Sequence, residues 1–202
     1  MKNASYEIDM CNGPLLGKIL RFSIPLMLSG ILQLLFNAAD IVVVGRFSGR
    51  EAMAAVGATS ALINLLINIF VGLSVGANVA VARYYGARRE KDVSKTVHTA
   101  ITTSLVSGLF LVILGLTAAR PMLELMGTPE DVLDKAVLYM RIYFLGMPGL
   151  MFYNFGSAIL RAVGDTKRPL YFLFTAGVIN AVLNVVFVVQ FGMSVDGVGW
   201  AT

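Results

Sequence analysis

The chain has 202 residues, of which 57% are hydrophobic and 14% are charged, and its mean hydropathy is +0.77. Soluble domains carry about 25% charged residues, so this composition excludes a soluble globular domain and a disordered chain. The net charge is +4, but the basic residues lie in short segments between long apolar runs, and this excludes a nucleic-acid-binding protein. The composition therefore predicts an integral membrane protein.

The apolar runs are long enough to cross a membrane, for which a helix needs about 20 predominantly apolar residues. They cover residues 22–45, 52–82, 97–119, 136–160 and 169–193, and a sixth helix opens at about residue 195. We therefore expect an all-α, polytopic membrane helix bundle of five complete helices and the start of a sixth. Because a sixth span does not fit before residue 202, we expect the chain to be a piece of a longer protein.

The basic residues of the short loops predict the orientation, because cytoplasmic loops are enriched in Lys and Arg. Eleven lie on the side of the amino terminus and five on the other side, so residues 1–21 are expected to be cytoplasmic. Five of the eleven fall within residues 83–95. This cluster is interpreted as a topology determinant in preference to a binding site for anionic lipid or a partner.

Catalytic and cofactor sites are not expected. His98 is the single histidine and Cys11 the single cysteine, which excludes a cysteine- or histidine-based zinc site. No phosphate-binding loop is present, and no Ser-His-acid set can be assembled around His98. If the protein is a pump, its energy comes from an ion gradient.

Polar residues inside the apolar runs recur at three- and four-residue spacing, which places them on one face of a helix. They are Ser29, Gln33, Asn37 and Asp40 in the first run, Ser60, Asn64, Asn68, Gly72 and Gly76 in the second, Tyr139 and Tyr143 in the fourth, and Asn180 and Asn184 in the fifth.

Two interpretations of these polar faces are open. Small and amide side chains hold membrane helices together, which is the favoured interpretation for Ser60, Gly72 and Gly76. Buried polar residues also line functional cavities. Asp40 is either a carboxylate near the outer interface, paired with Arg46, or a functional group. The apolar run continues beyond Asp40, and this favours a function.

Proline and glycine residues predict where two of the helices bend or end. Pro148 is expected to bend the fourth run. Gly164 can adopt a positive φ and Pro169 can open the next helix, so residues 164–169 predict a cytoplasmic turn. Arg161 and Asp165 are four residues apart and are expected to pair across it. The turn is either a simple connector or a gating hinge.

Several of these segments together resemble a transporter family. The first run, with Pro25, Gln33, Asn37, Asp40 and Gly45, resembles the opening helix of MATE (multidrug and toxic compound extrusion) transporters. Gly57, residues 83–87 with Gly86, residues 180–184 and residues 197–202 are similar to later segments in the same order. The most specific similarity is residues 159–169, the loop between the fourth and fifth helices. The resemblance covers residues 17–202.

The resemblance implies a fold of twelve helices in two six-helix lobes, with residues 22–202 as the amino-terminal transmembrane lobe. It also implies a multi-pass protein of the cell (plasma) membrane that exchanges H⁺ or Na⁺ for amphipathic, often cationic drugs or toxic compounds. Membrane lipids and the missing carboxy-terminal lobe would be its partners, with no cofactor and no nucleic acid.

The resemblance also implies roles for particular residues. Asp40 would be the protonation or cation site, with Asn180, Asn184 and Thr202 as neighbours. Some members carry a second aspartate at the position of Asn184, so Asp40 would be the lone carboxylate of its cavity and act as a protonation switch. The cavity for the substrate would be lined by Gln33, Asn37, Asn64, Asn68, Tyr139 and Tyr143. The structural or hinge positions would be Pro25, Gly45, Gly86, Pro148, Arg161, Gly164, Asp165 and Pro169.

Two other functions are considered. A flippase for lipid-linked precursors, from the same superfamily, would be expected to line its cavity with arginines, which the apolar runs lack apart from Arg141. A non-transporting membrane subunit belongs to a different class. A second six-helix set in a longer reading frame would decide against it.

Overall fold

The computed structural model describes Ile8 and residues 15–202. Within these residues the chain forms helices and no strands, as the sequence predicts. The α-helices are α1 (Leu15–Val43), α2 (Gly49–Gly86), α3 (Glu90–Leu125), α4 (Glu130–Leu145), α5 (Met147–Ala162), α6 (Lys167–Val185) and α7 (Val195–Ala201). Two π-helical turns, Val44–Ser48 and Val186–Gln190, follow α1 and α6. Most of the predicted cytoplasmic segment 1–21 lies outside the described residues, but α1 already begins at Leu15.

Among the described residues, four helices are long and apolar enough to cross a membrane by themselves: α1 with the first π turn, α2, α3, and α6 with the second π turn. The pair α4 and α5 forms a fifth candidate span that is bent by 49°. The break lies at Gly146, and Pro148 is the second residue of α5. Proline is tolerated in the first turn of a helix because its missing N–H has no partner there.

These candidate spans, taken together, make the chain a multi-pass membrane protein.

Three helix ends share one hydrogen-bond pattern, in which a residue of positive φ closes the last turn. At the end of α5, Gly164 has φ +89°, and the N–H groups of Gly164 and Asp165 donate to the carbonyls of Arg161 and Leu160. Gly127 closes α3 in the same way, with φ +71°. At the end of α2 the residue in this conformation is Arg88, with φ +56°, whereas Gly86 is the last helical residue.

The ion pair expected between Arg161 and Asp165 is wrong. Asp165 is fully buried, and its Oδ2 lies 3.2 Å from Nε of Arg168. Its Oδ1 accepts the backbone N–H groups of Lys167 and Arg168 at 3.1 Å each. Arg161 instead donates from Nε to the carbonyl of Ser157. Because the carboxylate is used to hold the first turn of α6, α6 begins at Lys167, two residues before Pro169.

The helices pack as two groups. Helices α2, α3, α4 and α5 contact one another and form the core, in which Leu111, Met140, Phe144 and Met151 are fully buried. Helix α1 packs mainly on α6. Of the residues of α1, only Pro25 is buried. The short helix α7 packs on α4 and α6. This arrangement brings the last turn of α1 beside the last turns of α6 and the middle of α4.

Candidate functional site

The candidate site is a cluster of polar side chains at the end of α1. The amide Nδ2 of Asn184 on α6 donates to Oδ1 of Asp40 at 2.5 Å. Asn184 is fully buried and Asp40 is partly buried. The two residues are 144 positions apart in the chain, so the contact depends on the packing of α1 against α6.

No cation neutralises this carboxylate within the part of the chain that the structure describes. Asp40 forms no ion pair there, so the interpretation that paired it with Arg46 is wrong. Arg46 instead lies exposed in the first π turn. A carboxylate in a membrane span without a basic partner is costly, so its presence there favours a function.

Asn184 can satisfy Asp40 in either protonation state. The buried Oδ1 of Asn184 has no hydrogen-bond partner among the described residues. An amide offers a donor through its nitrogen and an acceptor through its oxygen. The nitrogen serves a charged carboxylate, and after rotation of the amide the oxygen can accept a proton from a neutral carboxyl group. An aspartate in place of Asn184 would lack the donor when charged.

Asn180, one turn before Asn184, holds the end of α7. Its Nδ2 donates to the carbonyl of Ala201 at 3.1 Å and to Oγ1 of Thr202 at 3.4 Å. Oγ1 of Thr202 in turn donates to the carbonyl of Val198 at 2.9 Å. The structure therefore joins Asn180 to Thr202 in one pair and Asn184 to Asp40 in another.

Two tyrosines of α4 face the same cluster. Tyr139 is buried, and its ring centroid lies 5.9 Å from that of Tyr143. Both phenols lie within electrostatic range of Asp40. Gly199 lets α7 approach α4 closely here, since a Cβ at this position would lie 3.0 Å from Cγ2 of Ile142.

Four predicted cavity residues lie elsewhere on the surface of this chain. Gln33 and Asn37 on α1 and Asn64 and Asn68 on α2 are all exposed. None of the four side chains forms a hydrogen bond to a described residue. Gln33 and Asn37 lie one turn apart on α1, and Asn64 and Asn68 lie one turn apart on α2.

Six of the eight predicted structural positions fall into two sets. Pro25, Gly45 and Pro148 lie within or at the start of helices, and the carbonyl of Pro25 accepts the hydroxyl of Ser29 at 2.8 Å. Gly164, Asp165 and Pro169 are buried in the turn before α6. Neither set contacts the carboxylate of Asp40 through a hydrogen bond within the described chain.

The π turns were not anticipated from the sequence. One begins four residues after Asp40 and the other two residues after Asn184, and the two turns contact each other. Single π turns inside helices occur frequently at functional sites. Apolar periodicity does not distinguish a π turn from an α turn over five residues, so the sequence offered no signal for them.

Groups that could hold a transition metal are not found in the described residues, since no cluster of three His, Cys, Asp or Glu side chains is present there. The hydrogen-bond partner of Asp40 in the described chain is instead the neutral amide of Asn184.

Comparison with known proteins extends these observations. The family model MatE matches residues 25–186. The probable multidrug resistance protein YoeA of Bacillus subtilis is 35% identical over 90% of this chain and 40% of its own length. A FAD transporter of Shewanella oneidensis is 26% identical over 96% of this chain and 43% of its own length.

Solved structures show the same similarity. A structure of a MOP superfamily transporter from Pyrococcus furiosus superposes with a TM-score of 0.86 and 32% identity, over 92% of this chain and 41% of that one. The chain thus spans about two fifths of the length of the proteins it matches. The family model covers most of the chain, and the helices superpose on a solved member. The chain therefore belongs to the MatE (MATE) family of transporters.

Proposed function

We propose that this chain is the amino-terminal lobe of a secondary active transporter that exports amphipathic, often cationic drugs or toxic compounds in exchange for H⁺ or Na⁺. The observation that carries the proposal is Asp40, a carboxylate at a membrane helix end, which is bonded to Asn184 and has no basic partner in the described chain. The probable multidrug resistance protein of Bacillus subtilis supports the substrate class.

The proposed transport cycle depends on competition between the drug and the coupling ion for the carboxylate of Asp40. A charged Asp40 attracts a cationic drug, whereas binding of H⁺ or Na⁺ at the same group weakens that attraction and favours release. A ligand can shift a conformational equilibrium only through its different affinity for the two states. Asn180, Asn184 and Thr202 are the neighbouring donors and acceptors, and Tyr139 and Tyr143 provide an aromatic wall.

The polar surface of α1 and α2 is assigned to the substrate path. Gln33, Asn37, Asn64 and Asn68 are exposed on this lobe, and a second lobe placed over them would enclose a polar cavity. The turn from Gly164 to Pro169, in which Asp165 is buried, is assigned a structural role, at the cytoplasmic side of a plasma membrane protein.

A flippase for anionic lipid-linked precursors is disfavoured by charge. Arg141 lies two residues from Tyr139 and Tyr143 on α4 and is exposed. Residues two apart on a helix point to different sides, so Arg141 does not share their face. The same argument disfavours an anionic substrate such as that of the FAD transporter of Shewanella oneidensis.

The test is efflux of a fluorescent, amphipathic cationic dye by the intact protein in a bacterium that lacks its own pumps. We expect lower dye accumulation than in cells with an empty vector. Collapse of the proton gradient or removal of Na⁺ identifies the coupling ion. Unchanged dye accumulation together with translocation of a lipid-linked sugar would establish the flippase instead, and absence of both activities would favour a non-transporting subunit.

A further inference from the structure

An apolar groove lies between α2, α3 and α5, away from Asp40. Its volume is about 360 Å³, which is within the range of ligand pockets, about 300–1,000 Å³. Residues that line it include Leu73, Gly76 and Ala80 of α2, Lys95 and Thr99 of α3, and Phe155 of α5.

The groove runs inward from the end of the bundle that carries the turn between α2 and α3. Lys95 is five residues after the start of α3, and Leu73 is 13 residues before the end of α2. At 1.5 Å per residue, these positions lie about 8 Å and 20 Å from the turn. One end of the groove is therefore at the depth of lipid headgroups, and the other is in the hydrocarbon region.

The threonines of the groove present little polarity to it. The hydroxyls of Thr96, Thr99 and Thr103 donate to carbonyls four residues earlier on α3, at 2.8, 2.9 and 2.8 Å. Their hydrogen-bond donors are therefore used within the helix. The lining is mainly apolar as a result, and it suits a hydrocarbon chain.

Positive charge is concentrated at the outer end of the groove. Residues 83–95 contain five basic and two acidic residues. Nε of Arg89 lies 2.7 Å from Oδ2 of Asp92, and Cζ of Arg89 lies 5.2 Å from the centroid of the Tyr84 ring. Lys95 lines the groove, is exposed, and forms no ion pair to any described residue.

We propose that this groove binds an anionic phospholipid of the cytoplasmic leaflet, with one acyl chain between α2 and α3 and the phosphate at Lys95. A role in topology explains the charge of the loop but not an apolar groove that ends at one of its lysines. The inference rests on the proposed function only for the cytoplasmic orientation of this loop.

The experiment uses the intact protein in vesicles that contain a photoactivatable phosphatidylglycerol, followed by peptide mapping of the crosslinks. We expect labelling within residues 73–103, displaced by phosphatidylglycerol more strongly than by phosphatidylcholine. The matched pair Gly76→Leu and Gly72→Leu tests the groove. A Cβ meets no atom within 4 Å at either glycine, but only Gly76 lines the groove. Gly76→Leu should abolish the labelling, and Gly72→Leu should retain it.

Lys95→Gln tests the headgroup contact, with Lys91→Gln as its control near the same end of α3. A lysine near a membrane surface contributes about 1 kcal/mol toward anionic lipid, so Lys95→Gln should reduce the preference for phosphatidylglycerol by about five-fold. Lys91→Gln should reduce it less.

Two outcomes would overturn the proposal. Labelling that Gly76→Leu leaves unchanged would place the lipid elsewhere. A cysteine at Thr99 that crosslinks to the second lobe instead of reacting with a lipid-soluble reagent would make the occupant protein. Because lipid labelling requires no transport, failure of dye export with labelling intact would contradict only the proposed function.

Discussion

At the scale of single residues, Asp40 and Asn184 form the contact with the clearest chemical consequence. Asn184 is fully buried, donates to Asp40 at 2.5 Å, and keeps an acceptor without a partner among the described residues. A carboxylate that exchanges a cation needs neighbours that tolerate both of its states. The amide meets this need because it contains both a donor and an acceptor.

We expect Asp40→Asn in the intact protein to abolish dye efflux without loss of the folded, inserted protein, because an amide cannot take up and release the coupling cation. Asp40→Glu should keep part of the activity, since the carboxylate is retained but displaced. Efflux rates at several external pH values, normalised to surface expression, measure both effects.

Asp134→Asn is the matched control for Asp40→Asn. Its side chain is 85% exposed and pairs with Arg120 at 3.2 Å, and an exposed ion pair contributes little. This variant should transport at close to the wild-type rate. Wild-type efflux by well-expressed Asp40→Asn across the pH range would place the coupling site elsewhere.

At the scale of helices, close approaches at glycine decide which elements pack together. A Cβ at Gly108 of α3 would lie 2.5 Å from Cα and 3.0 Å from N of Pro148. Gly115 lies against Phe144 of α4, and Gly177 of α6 lies against Phe36 of α1. The first two contacts hold α3 against both sides of the α4–α5 bend.

The spacing of Gly72 and Gly76 on α2 predicts a seam of small residues. Both are exposed, and a Cβ at either would meet no described atom within 4 Å. Among the described helices, close approaches between helices lie at Gly108, Gly115, Gly177 and Gly199.

We expect Gly108→Ala to destabilise the protein by about 1–3 kcal/mol, the usual cost of overpacking, because the added methyl meets backbone atoms that cannot rotate away. Gly72→Ala should change stability by less, about 0.5 kcal/mol or smaller. Thermal unfolding of the two purified variants measures the difference. Equal midpoints for the two variants would show that the approach of α3 to Pro148 relaxes without cost.

At the scale of the whole molecule, charge separates the two ends of the bundle. The ion pairs of Arg120 with Glu124 and Asp134, and of Lys135 with Glu51, lie at the end opposite the α2–α3 and α5–α6 turns. The excess of basic residues lies at the end with those two turns, which the positive-inside rule assigns to the cytoplasm.

We expect a cysteine at Lys167, the first residue of α6, to react with a membrane-impermeant maleimide only in inverted vesicles. A cysteine at Asp131, at the start of α4, should react in intact cells, because a single membrane span separates these two positions. Mass-tagged labelling in a cysteine-free background measures both. Labelling of the Lys167→Cys variant in intact cells would reverse the assigned topology.

Composition and local chemistry were enough to predict much of this fold. Low charge and long apolar runs determine a helical membrane protein, because only internally hydrogen-bonded helices or closed barrels satisfy a backbone in lipid. The bend at Pro148 and the positive φ of Gly164 follow equally from local covalent geometry. The polar face of α1 that contains Asp40 is likewise visible in the spacing of its residues.

The partners of those residues depend on packing between distant segments. In lipid every helix face is largely apolar, so the sequence does not mark which helices are neighbours. Tertiary packing of α1 on α6 joins Asp40 to Asn184 across 144 positions and leaves Arg46 apart from it. It also pairs Asp165 with Arg168 rather than Arg161. The carboxylate of Asp165 accepts backbone N–H groups in the first turn of α6. The four-residue spacing between Arg161 and Asp165 does not show that these N–H groups compete with Arg161 for the carboxylate.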